Sequence, residues 1–139
     1  EVTEVVPVAR WRIDGVTFLI DGAGNQVAEA GFADDSLPLV IGDGAADDAM
    51  VMIQALERHA SLGQGLAALS RIADRRWDMI YDTGLRVRLP EAGMAQALQQ
   101  LEAQHAAHQL LNRDVQLIDL RAPGVMAIRP TVRDEEDGA

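Results

Sequence analysis

Residues Trp77–Leu89 read WDMIYDTGLRVRL, and apolar side chains recur at every second position on both sides of the central DTG. A period of two is typical of a β-strand that turns one face to a core and the other to water. Asp, Thr and Gly at the centre are residue types of a tight turn. The stretch therefore predicts a β-hairpin, with Trp77 in the core because Met79 and Tyr81 share its strand face.

A helix is predicted on each side of the hairpin. The first begins after Asp43, a good N-cap residue, and ends at Gly63, a natural C-terminal stop. The second opens at Pro90-Glu91, since proline suits the first helical position, and ends between His108 and Asn112. Apolar residues recur three or four positions apart and predict one buried stripe per helix: Ala49, Met52, Ile53, Leu56 and Ala60 in the first, and Met94, Ala97, Leu98 and Leu101 in the second.

Strands account for most of the remaining apolar segments. We expect strands at Val16–Ile20 and Gln26–Glu29 around a glycine-containing turn, a short buried strand at Leu37–Ile41, and a strand at Leu66–Ile72 before the hairpin. The chain order is thus strands, helix, strands, helix, strands. This order predicts an α+β domain, with a largely antiparallel β-sheet and two main α-helices packed on it.

The last apolar segments of the chain predict a second strand pair. Val115–Arg121 and Val125–Pro130 are joined by the tight connection Ala122-Pro123-Gly124, and a proline closes the second strand. The final strand of a sheet often has one neighbour and one free edge, which is a row of unpaired backbone donors and acceptors. Because an extended segment of another protein can pair with such an edge, the sequence predicts a docking site for a partner strand.

Composition excludes several classes of function. The net charge is −10 and the arginines are dispersed, so no cation cluster for nucleic acid is predicted. Cysteine is absent, which excludes disulfides, thiolate metal sites and a cysteine nucleophile. Asp134–Asp137 is entirely acidic and predicts a solvated, disordered end. The chain begins at Glu1 without a methionine, so we expect a fragment, and no segment approaches the length of a membrane span.

Two motifs could carry chemistry, and both have a simpler explanation. Asp82-Thr83-Gly84 matches the aspartic protease signature, in which two aspartates share a proton, but a chain of this size would have to dimerise to supply both. A hairpin turn explains the same residues. Glu102, His105 and His108 are spaced three apart and could hold a metal ion, yet they lie near an apolar stripe and lack a fourth ligand. We therefore expect boundary histidines, with no metal, cofactor or catalytic residue, and with His59 solvated on the flank of the first helix.

Four segments together resemble the bacterial cell division family FtsQ, also called DivIB, in its alphaproteobacterial form: Glu4–Trp11, Leu37–Val40 with Gly42 and Ala45, Arg75–Asp78, and Ile118–Arg121. Their order and spacing cover residues 4–130, and Leu89-Pro90-Glu91 adds to the match. The resemblance implies three parts of the chain. Residues 1–11 would be the junction from a missing POTRA domain, 12–130 the FtsQ-type β domain, and 131–139 an acidic disordered tail.

The resemblance implies a non-catalytic scaffold of the divisome, required for septum assembly, on the periplasmic side of the cell inner membrane. The parent would be a single-pass membrane protein whose transmembrane helix is absent from this chain. The expected partners are the periplasmic segments of FtsB and FtsL, with other divisome proteins, and FtsB would add a strand to the last strand of the β domain. The alternatives are a POTRA-associated outer-membrane assembly or secretion module and, more remotely, a protease dimer.

The resemblance also implies residues that contact the partner. Arg121 occupies the position of a cation that contacts FtsB, and Arg75 or Arg76 matches an arginine of the family's pair before the tryptophan. The sequence leaves open which of the two it is. The turn and the last strand, which would offer its backbone, complete the expected partner-binding set: Ala122, Gly124, Val125, Met126, Ala127, Ile128 and Arg129.

Overall fold

The predicted hairpin lies inside a nine-stranded β-sheet in the computed structural model of the protein, which describes residues 6–31 and 36–131. The predicted α+β class is confirmed by the elements of these residues. The strands are β1 (Ala9–Ile13), β2 (Val16–Ile20), β3 (Gln26–Glu29), β4 (Leu39–Ile41), β5 (Leu66–Ile72), β6 (Arg76–Tyr81), β7 (Arg86–Arg88), β8 (Val115–Asp119) and β9 (Ala127–Pro130). The helices are α1 (Ala45–Glu57) and α2 (Met94–His108), each followed by a short 3₁₀ segment, Ala60–Gly63 and Leu110–Asn112.

The strands form one sheet in the order β3-β2-β1-β4-β5-β6-β7-β8-β9. Five of the eight pairings are antiparallel, as the sequence predicted. The three parallel pairings join β1 to β4, β4 to β5 and β7 to β8, and no local pattern predicted them. Parallel neighbouring strands need a long crossover connection. The helices form two of these crossovers, since α1 connects β4 to β5 and α2 connects β7 to β8.

Both crossovers leave their helix on the same face of the sheet. β4 and β7 run in the same direction, and each crossover leads to the adjacent strand on the β9 side of it. Because such connections are right-handed, both helices lie on one face of the sheet. A row of register-paired residues forms the core beneath them: Trp11, Val40, Leu69, Met79, Val87 and Ile118. All except Trp11, at the margin, are buried. We call the opposite side of the sheet the helix-free face.

Both helices begin later than the sequence predicted. Gly44 adopts a left-handed conformation (φ 80°) at the N-cap position of α1, so Asp43 does not cap the helix. Gly93, also at φ 80°, delays the start of α2 in the same way. The first helix ends before Gly63, which instead closes the 3₁₀ segment that follows. Within the described residues, no helix has both the length and the apolar character needed to cross a membrane.

Candidate partner-binding site

The last strand lies at an edge of the sheet. Among the strands that the structure describes, β9 pairs only with β8, in antiparallel register with Ile128 opposite Ile118 and Ala127 opposite Asp119. Every residue of β9 is exposed. The predicted free edge at the C-terminal strand is therefore confirmed.

The backbone of β9 alternates between its neighbour and the open side. Thr131 donates its N–H to a carbonyl oxygen just before β8 at 3.1 Å, so this position points toward β8. Because backbone groups alternate sides along a strand, Ala127 and Arg129 also point toward β8, and Ile128 presents its N–H and carbonyl to the open edge. Pro130 points the same way as Ile128, where a missing N–H costs the sheet nothing. The open edge is therefore centred on Ile128.

The helix-free face near this edge carries a buried carboxylate between two arginines. Asp78 on β6 is only 2% exposed, although neither α1 nor α2 covers this side of the sheet. Its Oδ1 accepts a hydrogen bond from Nη1 of Arg76, and its Oδ2 accepts one from Nη1 of Arg86 on β7 at 2.6 Å. Two arginines on two neighbouring strands are thus held by one carboxylate.

A second carboxylate repeats this arrangement closer to the edge. In the register, Arg88 lies between Asp78 on one side and Asp119 on the other. Asp119 accepts hydrogen bonds from Nη2 and Nε of Arg121 at 2.7 and 3.0 Å, and Nη1 of Arg88 lies 3.9 Å from it. The hydrogen bonds from Arg121 lower the pKa of Asp119, and the same contact raises the pKa of Arg121, with a smaller contribution from Asp78.

Five arginines gather on the part of this face formed by β6 to β9. Arg129 belongs to the group because it lies opposite Leu117 on β8, which in turn lies opposite Arg86. We call this set the arginine face; it consists of Arg76, Arg86, Arg88, Arg121 and Arg129. Asp78 and Asp119 neutralise two of these five cations, so this surface has a net charge of +3. The net charge of the whole chain is −10.

The structure brings together three of the predicted contact residues and separates a fourth. Arg76, Arg121 and Arg129 belong to the arginine face. Arg75 is exposed in the β5–β6 turn and donates its backbone N–H to the carbonyl oxygen of Ile72 at 3.1 Å. Arg76 is thus the member of the pair that shares a surface with Arg121. The other predicted residues before β9 lie in the β8–β9 connection, where Met126 packs partly against the core and the rest are exposed: Ala122, Gly124 and Val125.

Sequence reasoning missed four residues of this surface: Asp78, Arg86, Arg88 and Asp119. The alternation around Arg86 and Arg88 did predict that both face water. No local pattern indicates which carboxylates they meet, because each pair joins different strands. A signal was present because residues 76–88 and 115–130 together hold five arginines and three aspartates. The strand order was needed to interpret it.

A separate polar cluster joins the two helical segments. Nδ1 of His59, just after α1, lies 2.7 Å from Oε1 of Glu102 on α2, and Ser61 donates a hydrogen bond to Oε2 at 3.2 Å. The side chain of His59 is 13% exposed, so the prediction that it is solvated is wrong. The packing of α2 against the segment after α1 covers it. The hydrogen bond with His59 lowers the pKa of Glu102.

The remaining candidate motifs belong to the fold. Nδ1 of His105 accepts the backbone N–H of Leu111 at 3.1 Å, and no group of three metal-ligating side chains occurs in residues 6–31 and 36–131. Asp82 is exposed at the tip of the β6–β7 hairpin, and its backbone N–H donates to Gly65 at 2.8 Å. This is the turn geometry that the sequence favoured over a protease site.

Comparison with known proteins gives consistent matches. A family model described as cell division protein FtsQ/DivIB, C-terminal, matches residues 9–121. The chain is 35% identical to the cell division protein FtsQ of Paracoccus denitrificans over 134 residues, which are 95% of this chain and 38% of that protein. The corresponding protein of Ketogulonicigenium vulgare is 38% identical over 135 residues, with 95% and 44% covered. The chain thus spans less than half the length of these relatives.

One solved structure shows the extent of the likeness in three dimensions. It is the major extracytoplasmic domain of the bacterial cell division protein DivIB from Geobacillus stearothermophilus. The TM-score is 0.48 at 18% sequence identity, and the match covers 78% of this chain and 97% of that one.

Proposed function

This chain belongs to the FtsQ/DivIB family of cell division proteins, and on that premise we propose that it is a scaffold of the divisome. It performs no catalysis and binds the periplasmic segment of FtsB, with FtsL as FtsB's companion, by strand addition to β9. It serves septum assembly with other divisome proteins on the periplasmic side of the cell inner membrane, where a transmembrane helix outside this chain anchors the parent. The observation that carries the proposal is the open edge at Ile128 beside the arginine face.

The charges of the two open edges support β9 as the docking edge. At the other end of the described sheet, β3 pairs only with β2, and it ends in the carboxylate of Glu29. The edge at β9 instead lies next to the arginine face, with its three excess positive charges. Complementary charge raises the association rate and disfavours wrong partners. A partner segment with acidic side chains is therefore directed to β9.

The domain limits are part of the proposal. Residues 12–130 form the partner-binding domain, residues 1–11 lead in from a POTRA domain, and residues 131–139 are an acidic tail. The limit between residues 11 and 12 falls inside β1, which begins at Ala9 and pairs with β2 and β4. Residues 1–5 and 132–139 lie outside the described part of the chain.

Binding of a synthetic peptide of the cognate FtsB periplasmic segment to the purified chain, measured by calorimetry, tests the proposal. Ile128→Pro removes the N–H that faces the open edge and keeps the N–H groups of Ala127 and Arg129 for β8. We expect it to weaken binding at least about tenfold, or ~1.4 kcal/mol. Ile128→Thr is the matched control, because it keeps the N–H and a β-branched side chain, and its affinity should stay within about twofold of the wild type.

The outcomes separate the parts of this proposal. If Ile128→Pro is folded by circular dichroism and binds as well as the wild type, the partner does not pair with β9. If the wild type does not bind the peptide, FtsB is not the partner of this surface. The second result would favour the alternative, a POTRA-associated outer-membrane assembly or secretion module, because such a module also uses strand addition.

A further inference from the structure

We propose that Asp78 is a positioning residue of the partner-binding surface, which holds Arg76 and Arg86 so that both meet carboxylates of an acidic segment of the bound partner. The inference rests on the proposed function. It adds Arg86, on β7, to the contact residues and names the chemistry of the partner segment. It also assigns a role in binding to Asp78, whose carboxylate does not itself contact the partner protein.

Asp78 is much less accessible than the arginines that it holds. Its side chain is 2% exposed, whereas those of Arg76 and Arg86 are 19% and 41% exposed. A segment that approaches the helix-free face meets the guanidinium groups and not the carboxylate beneath them. Any effect of Asp78 on binding must therefore act through the arginines.

The charge of this surface is unbalanced toward the cations. Asp78 compensates only one of its two arginines, and Asp119, with Arg88 and Arg121, leaves a second positive charge. A guanidinium group has five N–H donors, so one that is bound to an internal carboxylate can still bind a second carboxylate. The arrangement is complementary to acidic side chains, and it repels basic ones.

The fixed geometry favours binding because it is present before the partner arrives. Arg76 and Arg86 stand on adjacent strands, and without Asp78 their like charges would drive them apart into many rotamers. Ordering such a side chain on binding costs conformational entropy. Asp78 orders both side chains in the free protein, so the partner meets them already in place.

The position of Arg86 indicates which part of the partner it contacts. The register places Arg86 opposite Leu117, and Leu117 opposite Arg129, so Arg86 stands two strands inward from β9. With neighbouring strands ~4.8 Å apart, an added strand would lie roughly 14 Å from Arg86. The carboxylates that reach Arg76 and Arg86 therefore belong to partner residues outside the paired strand, which cross the helix-free face.

The direction in which one substitution changes the affinity tests the proposal, with the FtsB periplasmic segment as the probe. Asp78→Asn removes a negative charge from beneath the surface, so a role through charge alone predicts tighter binding of an acidic segment. A role in stability alone predicts a lower melting temperature and unchanged affinity of the folded variant. The positioning role predicts weaker binding, by roughly tenfold, in spite of the gain in positive charge.

Three further variants keep the test independent of the folding of Asp78→Asn. Arg86→Gln removes one held cation from a partly exposed position and should weaken binding at least about threefold. Arg12→Gln is the matched control: Arg12 lies in the same cross-sheet row as Asp78, on β1, three strands away, and its loss should leave binding unchanged. Asp78→Glu restores the charge and should recover part of the affinity.

Each result has a definite meaning. If folded Asp78→Asn binds the segment as tightly as the wild type or more tightly, the positioning role is overturned. The role is also overturned if the affinity of Arg86→Gln equals that of the control Arg12→Gln. If Ile128→Pro loses binding while these variants do not, strand addition stands and only the inference about Asp78 is lost. A wild type that does not bind the FtsB segment rejects both proposals together.

Discussion

Single carboxylates in this protein acquire different roles from partners that are distant in the sequence. Asp78 is buried because arginines on two strands cover it. Asp82, four residues later on the same hairpin, is an exposed turn residue. Glu102, which could have been a metal ligand by its spacing, instead joins His59 and Ser61. Residue type and local spacing did not distinguish these roles, since the partner of each carboxylate lies on another element.

The contact of Glu102 with His59 predicts a pH-dependent contribution to stability. The hydrogen bond with His59 lowers the pKa of Glu102 in the folded state, so folding favours the ionised carboxylate. Such a group stabilises the fold above its unfolded pKa, near the usual 4.5, and this contribution is lost as the pH falls through the lower folded-state pKa. Urea unfolding of wild type and Glu102→Gln should therefore show a difference in unfolding free energy at neutral pH that shrinks below about pH 4.5.

Glu57→Gln is the matched control for this measurement. Glu57 is an exposed glutamate at the end of α1, so its replacement removes the same charge without breaking the contact with His59. Its unfolding free energy should follow that of the wild type across the same pH range. A difference between wild type and Glu102→Gln that stays constant down to the acid limit would contradict the role of the ionised carboxylate.

At the scale of the element, β6 serves the core and the surface at once. Met79 and Tyr81 point into the helix-covered core, where the Tyr81 hydroxyl donates to the carbonyl oxygen of Leu62 at 2.5 Å and burial raises the pKa of the phenol. Asp78 and Ile80 point to the helix-free face. Because side chains alternate between the two faces of a strand, both sequence neighbours of Asp78, Trp77 and Met79, are buried in the core. The site therefore lies on a strand whose other face is buried in the core.

The two faces of β6 predict unequal costs for neighbouring substitutions. Met79→Ala removes a side chain with 0% exposure from the core row, and large-to-small changes at such positions destabilise by about 2–5 kcal/mol. Ile80→Ala, the matched control on the next residue, truncates a half-buried side chain on the helix-free face and should cost clearly less. Urea unfolding measures both. Equal losses would mean that the helix-free face is packed as tightly as the core.

At the scale of the whole molecule, the mixed sheet separates a packed face from a charged one. Both crossover helices cover the same side, and the first turn of α1 there carries the acidic residues Asp47 and Asp48. The opposite side is covered by neither α1 nor α2 and carries the arginine face. An acidic protein can thus present a local positive surface, because the strand order, and not the net charge, decides where the charges meet.

The position of each strand in the sheet predicts its hydrogen-exchange protection. Amides of central strands, such as Leu69 on β5, have strands on both sides and a covered face, so their exchange should be the slowest. The amide of Ile128 points to the open edge and should exchange nearly as fast as an unfolded amide. Addition of the FtsB segment should slow the exchange at Ile128 and leave β3 unchanged, as followed by NMR. Slowing at β3 instead would place the partner at the wrong edge for our proposal.

Much of the architecture follows from local patterns. The period of two in Trp77–Leu89, the apolar stripes of the helices and the pair of strands at the end correspond to elements of the fold. The helix starts were wrong because a glycine in a left-handed conformation interrupts each one, and a good cap residue such as Asp43 does not reveal that conformation. The solvation of His59 was wrong because its burial depends on α2, an element that follows much later in the chain.

Local sequence patterns predict both helices, every strand except β1, the core-facing side of each helix and of the β6–β7 hairpin, and a free edge at the last strand. These properties depend on side-chain periodicity and turn chemistry, which act over a few residues. Pairing between distant strands set the rest: β7 lies beside β8 and β4 beside β5, Asp78 binds Arg76 and Arg86, and Ile128 presents its N–H to the open edge. Pairing between distant strands leaves no periodic trace in either strand, so the arginine face exists only once the register is set.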